Sequence, residues 1–251
     1  MEFAEAKGRT PLGAVPPRPR AVLLDGMGTL VALEPPHARL RATLQAGAGV
    51  QVSGRRAKDA FRAEIEHYLA HHLEGRDAES LGRLRDDCAA VLHEALGPHV
   101  AGVDRALVRR AMLDAIHFDA YADAAPALRA LRAGGLRLVV ASNWDCSLPS
   151  VLEEAGLADL VDAVVPSAVA GAAKPDPRLF EAALDAAGCA PHEALHVGDS
   201  LENDVAGATA AGIAALLLVR SGDAPPGVPV IRSLVELPAV LGAGGRMLGR
   251  R

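Results

Sequence analysis

The chain has 251 residues, half of them hydrophobic, which allows one full core with room for a smaller second unit, and its net charge is −5 with both signs interspersed. That balance, with no basic stripe and no basic-aromatic alternation, argues against a nucleic-acid partner. Three scattered cysteines, Cys88, Cys146 and Cys189, are odd in number and not spaced like a zinc site, so a reducing compartment is expected rather than a disulfide framework.

Residues 1–19 contain four prolines and several charges but no continuous apolar stretch. They read as a poorly ordered tail, neither signal peptide nor membrane anchor. No later apolar run reaches about 18 residues, so a soluble, cytoplasmic protein with no membrane partner is expected. The first element is the strand Ala21-Val22-Leu23-Leu24, an apolar run that ends on a lone carboxylate, Asp25, followed by Gly26-Met27-Gly28-Thr29. Such a run fits a strand covered on both faces, and the glycines let the backbone turn sharply beside a ligand. A strand that happens to end in Asp is the bland alternative.

After Pro35-Pro36 the pattern changes. From about His37 to His117, Arg, Glu and Ala interleave with apolar residues at three- and four-residue spacing. Ser53, Asp77 and Asp104 are candidate N-caps, and Gly75 and Gly97-Pro98 are stops. This all-helical insert, taken as residues 36–118, reads as a separate cap module. From Tyr121 an α/β alternation resumes: a helix from Asp123 to Ala133, the strand Leu136–Ala141, a helix from Leu148 to Ala155 and the strand Ala163–Val165. A helix from Pro177 to Ala187, the strand Ala194–Val197, a helix after Asn203 and the strand Ala214–Val219 follow. Five such strands make an α/β fold with a doubly wound parallel sheet, a Rossmann-like core over 20–35 and 119–242. Residues 228–242 are expected to add an edge strand and a last helix, and 243–251 a frayed tail.

Polar residues gather at the ends of these strands. Ser142-Asn143 follows one strand, Lys174-Pro175-Asp176-Pro177 precedes a helix, and Gly198-Asp199-Ser200 with Asp204 follows another. Carboxyl ends of parallel strands are where open α/β sheets bind ligands. Ser142 is equally a turn or cap residue, and Asp176 equally an N-cap with Pro177 at the first helical position. Of 26 basic residues only Lys7, Lys58 and Lys174 are lysines, so a lysine kept at 174 suggests that a compact point charge is wanted there, against the alternative of a solvated loop lysine. Asp199 and Asp204, with Asp25, form an oxygen-donor set suited to Mg²⁺, or are helix-capping residues.

The series Asp-x-x-Gly-Thr-Leu, Ser-Asn, Lys-Pro-Asp-Pro and Gly-Asp-x-x-x-x-Asp, spanning residues 20 to 242, resembles the haloacid dehalogenase-like hydrolase superfamily. The helical insert resembles its subgroup with a type-one cap. The resemblance implies that Asp25 is a nucleophile forming an aspartyl-phosphate, and that Ser142 and Lys174 hold the phosphoryl group. It implies that Gly26, Met27, Thr29 and Asn143 line the phosphate site, and that Asp25, Asp199 and the backbone carbonyl of Met27 bind Mg²⁺. Asp204 would support the metal site or hold Lys174. A small phosphorylated metabolite is then the expected substrate, and a monomer or homodimer the expected state.

One position departs from the family pattern. Most phosphatases of the superfamily have a second Asp two residues after the nucleophile; here Met27 stands there, and a thioether neither donates nor accepts that proton. Losing a positioned general acid/base costs about 10²- to 10⁴-fold. The readings are a phosphatase for good leaving groups, or one in which Asp145 or a cap histidine takes over; a 2-haloacid dehalogenase, against which Asp199 argues because those enzymes work without metal; and a low-activity phosphate-binding protein. A phosphonatase, which needs a cap lysine, ranks last because nothing places Lys58 over Asp25.

Weaker signals are His67 and His71, four apart on a helix but with no third ligand in view. Tyr68, Arg76, His71 and His72 are candidates for touching substrate, and Trp144 either walls the pocket or packs. Cys146 reads as inert and His196 as a hydrogen-bonded core residue.

Overall fold

A computed structural model describes residues 19–242. In chain order it contains β1 (Ala21–Leu24), β2 (Val31–Leu33), α1 (His37–Ala48), α2 (Gly54–His71), α3 (Ala78–Leu96), α4 (Arg105–Ala115), β3 (Phe118–Ala120) and α5 (Ala124–Ala133). Then come β4 (Arg137–Ser142), α6 (Leu148–Glu154), β5 (Ala163–Pro166), α7 (Ser167–Ala170), α8 (Pro177–Ala187), β6 (Ala194–Gly198), α9 (Gly207–Ala210), β7 (Ala214–Leu218), β8 (Val230–Ile231) and α10 (Leu237–Gly242). Apart from Pro19, the two expected tails lie outside the described residues.

Six parallel strands form one sheet in the order β5-β4-β1-β6-β7-β8. Numbered by their own succession this is 3-2-1-4-5-6, the doubly wound Rossmann-like order, whose direction reverses at β1. Along β1 the side chains alternate between two cores: Val22 and Leu24 join Leu128, Leu138 and Leu216 on one face, and Ala21 and Leu23 join Val139, Phe180 and Leu217 on the other. All four residues of β1 are fully buried, so burying apolar area on both faces is what fixes this strand at the centre.

The helices α1 to α4 enclose an apolar cluster of their own, with Leu40, Leu44, Phe61, Leu92, Leu96 and Met112 at its heart. Three of the helix starts are set by polar side chains. The Ser53 hydroxyl accepts the Arg56 N–H at 3.2 Å, Asp77 accepts the Ser80 N–H at 2.8 Å, and Asp104 accepts the Ala106 N–H at 2.9 Å. The chain enters and leaves this group of helices through β2 and β3, which pair antiparallel, Val31 opposite Ala120 and Leu33 opposite Phe118.

Several elements differ from the sequence expectation. The β2–β3 ribbon and the one-turn helix α7 are additional elements. The helix expected after Asn203 begins earlier, as a π-helical turn over Leu201–Ala206 that Ser200 caps by accepting the Asn203 N–H at 3.1 Å. Asp204 within this turn is buried and packs closely against Gly198. The edge strand within 228–242 is only Val230–Ile231.

Candidate active site

The four separated segments meet at the carboxyl edge of the sheet, around the strand where its order reverses. Asp25 leaves the end of β1 with its N–H donating to the Val197 carbonyl at 2.9 Å, so β6 holds its backbone. Ser142, the last residue of β4, donates its hydroxyl to Asp25 Oδ1 at 2.9 Å. Lys174 Nζ donates to the same oxygen at 2.5 Å and to Asp204 Oδ1 at 2.6 Å. Asn143 fixes the lysine's backbone from both sides: Nδ2 donates to the Lys174 carbonyl at 3.0 Å, and Oδ1 accepts the Lys174 N–H at 2.6 Å. Asp176 caps α8, accepting the Arg178 N–H at 3.0 Å, and so fulfils its local alternative rather than joining the site.

Asp25, Ser142, Lys174 and Asp204 are all buried. Asp199 is the exposed member; Asp25, Asp199 and Asp204 each offer an oxygen within 4.8 Å of the others. Two glycines make this crowding possible. Gly28 has φ +76°, and a Cβ there would lie 2.0 Å from Asp199 Oδ2; a Cβ on Gly198 would lie 2.1 Å from Asp204 Cγ.

One ammonium serves two buried carboxylates, and the charges follow from that. Burial opposes ionisation of Asp204, but Lys174 and His196, whose Nε2 lies 2.9 Å from Oδ1, hold its carboxyl well below the usual range. Burial pushes the Asp25 carboxyl up and the neighbouring Asp204 charge adds to this, against the pull of Lys174. Although the residue is exposed overall, partial burial of the Asp199 carboxyl against the cluster and the charges of Asp25 and Asp204 push it up to about 6. Burial alone would lower Lys174; the two carboxylates beside it more than reverse that and raise it. The cluster is therefore short of positive charge, and its oxygen donors suit a small hard dication.

Thr29 is fully buried, its hydroxyl without a partner among the described residues. Met27 is 37% exposed. The pair His67 and His71 stacks at 4.1 Å, and His71 Nδ1 faces the His67 carbonyl at 2.8 Å; among the described residues these histidines find no third ligand. Lys58 is exposed on α2. Burial pushes the Cys146 thiol up, in keeping with an inert cysteine.

Two relationships escaped the sequence. Arg220, just past β7, donates through Nε to the Gly28 carbonyl at 3.0 Å and through Nη2 to the Thr29 carbonyl at 2.6 Å, while gripping Asp123 with two bonds of 3.0 Å. A charged residue just past a core strand is the same signal that marked Asp25, and it was available. Tyr68 of α2 donates its hydroxyl to Asp145 Oδ2 at 2.9 Å, and Asp145 Oδ1 accepts the Ser147 N–H at 2.7 Å. With the Cys146 N–H donating to the Gly75 carbonyl at 2.8 Å, this joins the helices to the loop after β4. Trp144 is buried and packs on Phe118, ring centroids 4.8 Å apart.

Comparison with known proteins agrees with this fold. The family model for haloacid dehalogenase-like hydrolases matches residues 19–212. Phosphatase MT3486 of Mycobacterium tuberculosis is 42% identical over 127 residues, which cover 50% of this chain and 57% of that protein, so the alignment spans little more than half of the relative's length. The mouse (Mus musculus) haloacid dehalogenase-like hydrolase domain-containing protein 3 is 31% identical over 213 residues, 80% of this chain and 82% of that one. Among solved structures, the defluorinating L-2-haloacid dehalogenase Rha0230 superposes with a TM-score of 0.71 at 21% identity over 92% of this chain and 99% of its own, a likeness of fold. The chain with Asp25, Lys174 and Asp199 at the edge of its sheet belongs to the haloacid dehalogenase-like hydrolase family.

Proposed function

We propose that the protein is a Mg²⁺-dependent phosphatase that works through an aspartyl-phosphate on Asp25. The observation that carries this reading is the shared hold of Ser142 and Lys174 on Asp25 Oδ1, at 2.9 and 2.5 Å, with all three side chains buried. A carboxylate held this way has one oxygen engaged and the other left to attack phosphorus. Lys174 and Ser142 then bind the phosphoryl oxygens, and Asp204 keeps the ammonium charged and oriented.

The residues fit a magnesium ion: Asp25, Asp199 and the carbonyl of Met27 would hold it, and the acidic cluster lacks the positive charge it supplies. When bound, that ion offsets charge on the phosphoryl group. Helices α1 to α4, with their flanks the segment 36–118, act as a cap that limits water and selects the substrate. The relative named as a phosphatase supports this reading over C–halogen hydrolysis, as does Asp199, for which a metal-free reaction has no use.

The test is to incubate purified protein with Mg²⁺ and beryllium fluoride and look for a stable complex on Asp25 by mass spectrometry and protection from unfolding. An adduct that Asp25→Asn abolishes is expected. Halide release from a 2-haloacid without metal, and no adduct, would replace this reading with the dehalogenase one.

A further inference from the structure

Between the helices α2–α4 and the core lies a cavity of about 550 Å³, a size suited to a small organic molecule. Its lining includes Met27, two residues past Asp25, and Asn143 and Asp145, which follow Ser142. Chain continuity thus sets it beside the phosphoryl site. Most of its wall is apolar, with Phe61, Leu84 and Met112 among the residues that form it. We propose that this cavity receives the leaving group of the substrate and that the substrates are aryl phosphate monoesters, esters of an uncharged, apolar phenolic alcohol. The inference rests on reading Asp25 as a phosphoryl-accepting nucleophile.

Three features narrow the class. Most of the lining is apolar, and among its polar side chains Tyr68 and Asp145 already bond each other and Asn143 bonds the Lys174 backbone, so most hydroxyl groups of a polyol or sugar would be buried there without partners. On the lining the carboxylates of Asp145 and Glu154 outnumber the single cation Arg85, and the buried Glu64 adds no positive charge, so a leaving group carrying its own carboxylate is disfavoured. The third feature is the proton. Met27 has none to give, and Asp145 already accepts from Tyr68 and Ser147 on its two oxygens. An alkoxide needs protonation to depart, whereas an aryloxide, whose conjugate acid has a pKa of about 10, leaves without it.

The step balances with what the site holds and water. An Asp25 oxygen forms a bond to phosphorus as the bond between phosphorus and the aryl oxygen breaks. The aryloxide departs with that electron pair and takes a proton from solvent. A water then cleaves the acyl phosphate, releasing inorganic phosphate and restoring the carboxylate.

The experiment measures kcat/KM of the full chain with Mg²⁺ on 2-naphthyl phosphate, phenyl phosphate, glycerol 3-phosphate, phosphoserine and acetyl phosphate, the last a small donor that leaves the cavity empty. Expected are a preference for naphthyl phosphate over glycerol 3-phosphate and phosphoserine of at least about 100-fold, and a KM about tenfold lower for naphthyl than for phenyl phosphate, because the second ring is buried. Ile65 also lines the cavity. Ile65→Glu should lower the naphthyl-to-glycerol ratio about tenfold, and a ratio is unaffected by any loss of folded protein. Turnover of acetyl phosphate with no aryl preference, or with a ratio that Ile65→Glu leaves unchanged, overturns the cavity inference alone. No turnover of any substrate, acetyl phosphate included, overturns the reading of Asp25 and this inference with it.

Discussion

The guanidinium of Arg220 lies 3.6 Å above the ring of Tyr121 and reaches past it to the carbonyls of Gly28 and Thr29. Asp123 anchors it from the other side and also accepts the Ser233 hydroxyl at 2.7 Å and the Leu234 N–H at 2.9 Å. The turn that follows Asp25 is therefore braced by β7, α5 and the last segment of the core at once. Arg220→Lys keeps the charge but loses the planar fork. It should lower kcat about tenfold with little change in KM, since the turn's position and not substrate affinity is disturbed. Stability should fall by about 1–3 kcal/mol in a urea titration. Wild-type kcat in this variant would show that the turn holds itself.

Met27 is exposed, so Met27→Asp should leave stability within about 0.5 kcal/mol of the wild type. It restores a carboxyl able to protonate an alkoxide. Turnover of glycerol 3-phosphate should then rise by up to about 10²-fold and that of an aryl phosphate far less. Equal gains on both would mean that leaving-group protonation is not what Met27 withholds.

Gly28→Ala places a methyl group where Asp199 Oδ2 now lies and forces alanine into a left-handed backbone at φ +76°. The backbone alone costs about 1–2 kcal/mol. The sharper readout is the dication. In the wild type, Mg²⁺ at about 100 times its dissociation constant should add about 2.7 kcal/mol to unfolding stability. The variant should require at least about tenfold more Mg²⁺ for the same gain, and an unchanged Mg²⁺ response would remove Asp199 from the ligand set.

Glu64 is buried in α2 beside Cys88, and burial, partly offset by a hydrogen bond from that thiol, pushes its carboxyl up to about 7. Because the folded value is the higher one, stability from this residue is fully present below the unfolded value of about 4.5 and is lost as pH rises through about 7. Glu64→Gln carries no such charge. Its stability advantage over the wild type should grow by about 2 kcal/mol between pH 5 and pH 8, read by thermal unfolding at each pH. A constant difference would mean that Glu64 ionises freely in the fold.

The sheet and the four site segments were legible because each rests on a local signature. An apolar run long enough to show its character, closed by glycine or a lone polar residue, announces a buried strand and its loaded end, as at Leu24-Asp25 and Val197-Gly198-Asp199. The helix caps at Ser53, Asp77 and Asp104 are equally local. What stayed hidden depends on pairing across distance. Val31-Ala32-Leu33 and Phe118-Asp119-Ala120 are too short to show a period, and each is a strand only because the other lies alongside. Asp123 and Arg220 are 97 residues apart, and nothing around either one names the other. His196 was readable as buried and hydrogen-bonded, but not that its partner would be Asp204, on which the lysine also depends.

The strand β1 has no neighbour that is close to it in sequence. Ser142 lies 117 residues beyond Asp25, and Lys174 lies 149 beyond it. During synthesis Asp25 emerges before these partners, on a strand whose two neighbours are still to come, while the intervening helices form from short-range contacts. Such long loops close slowly compared with helix formation. Assembly of the site around Asp25 is thus expected late in folding, and the onset of activity in a refolding experiment should mark completion of the central sheet.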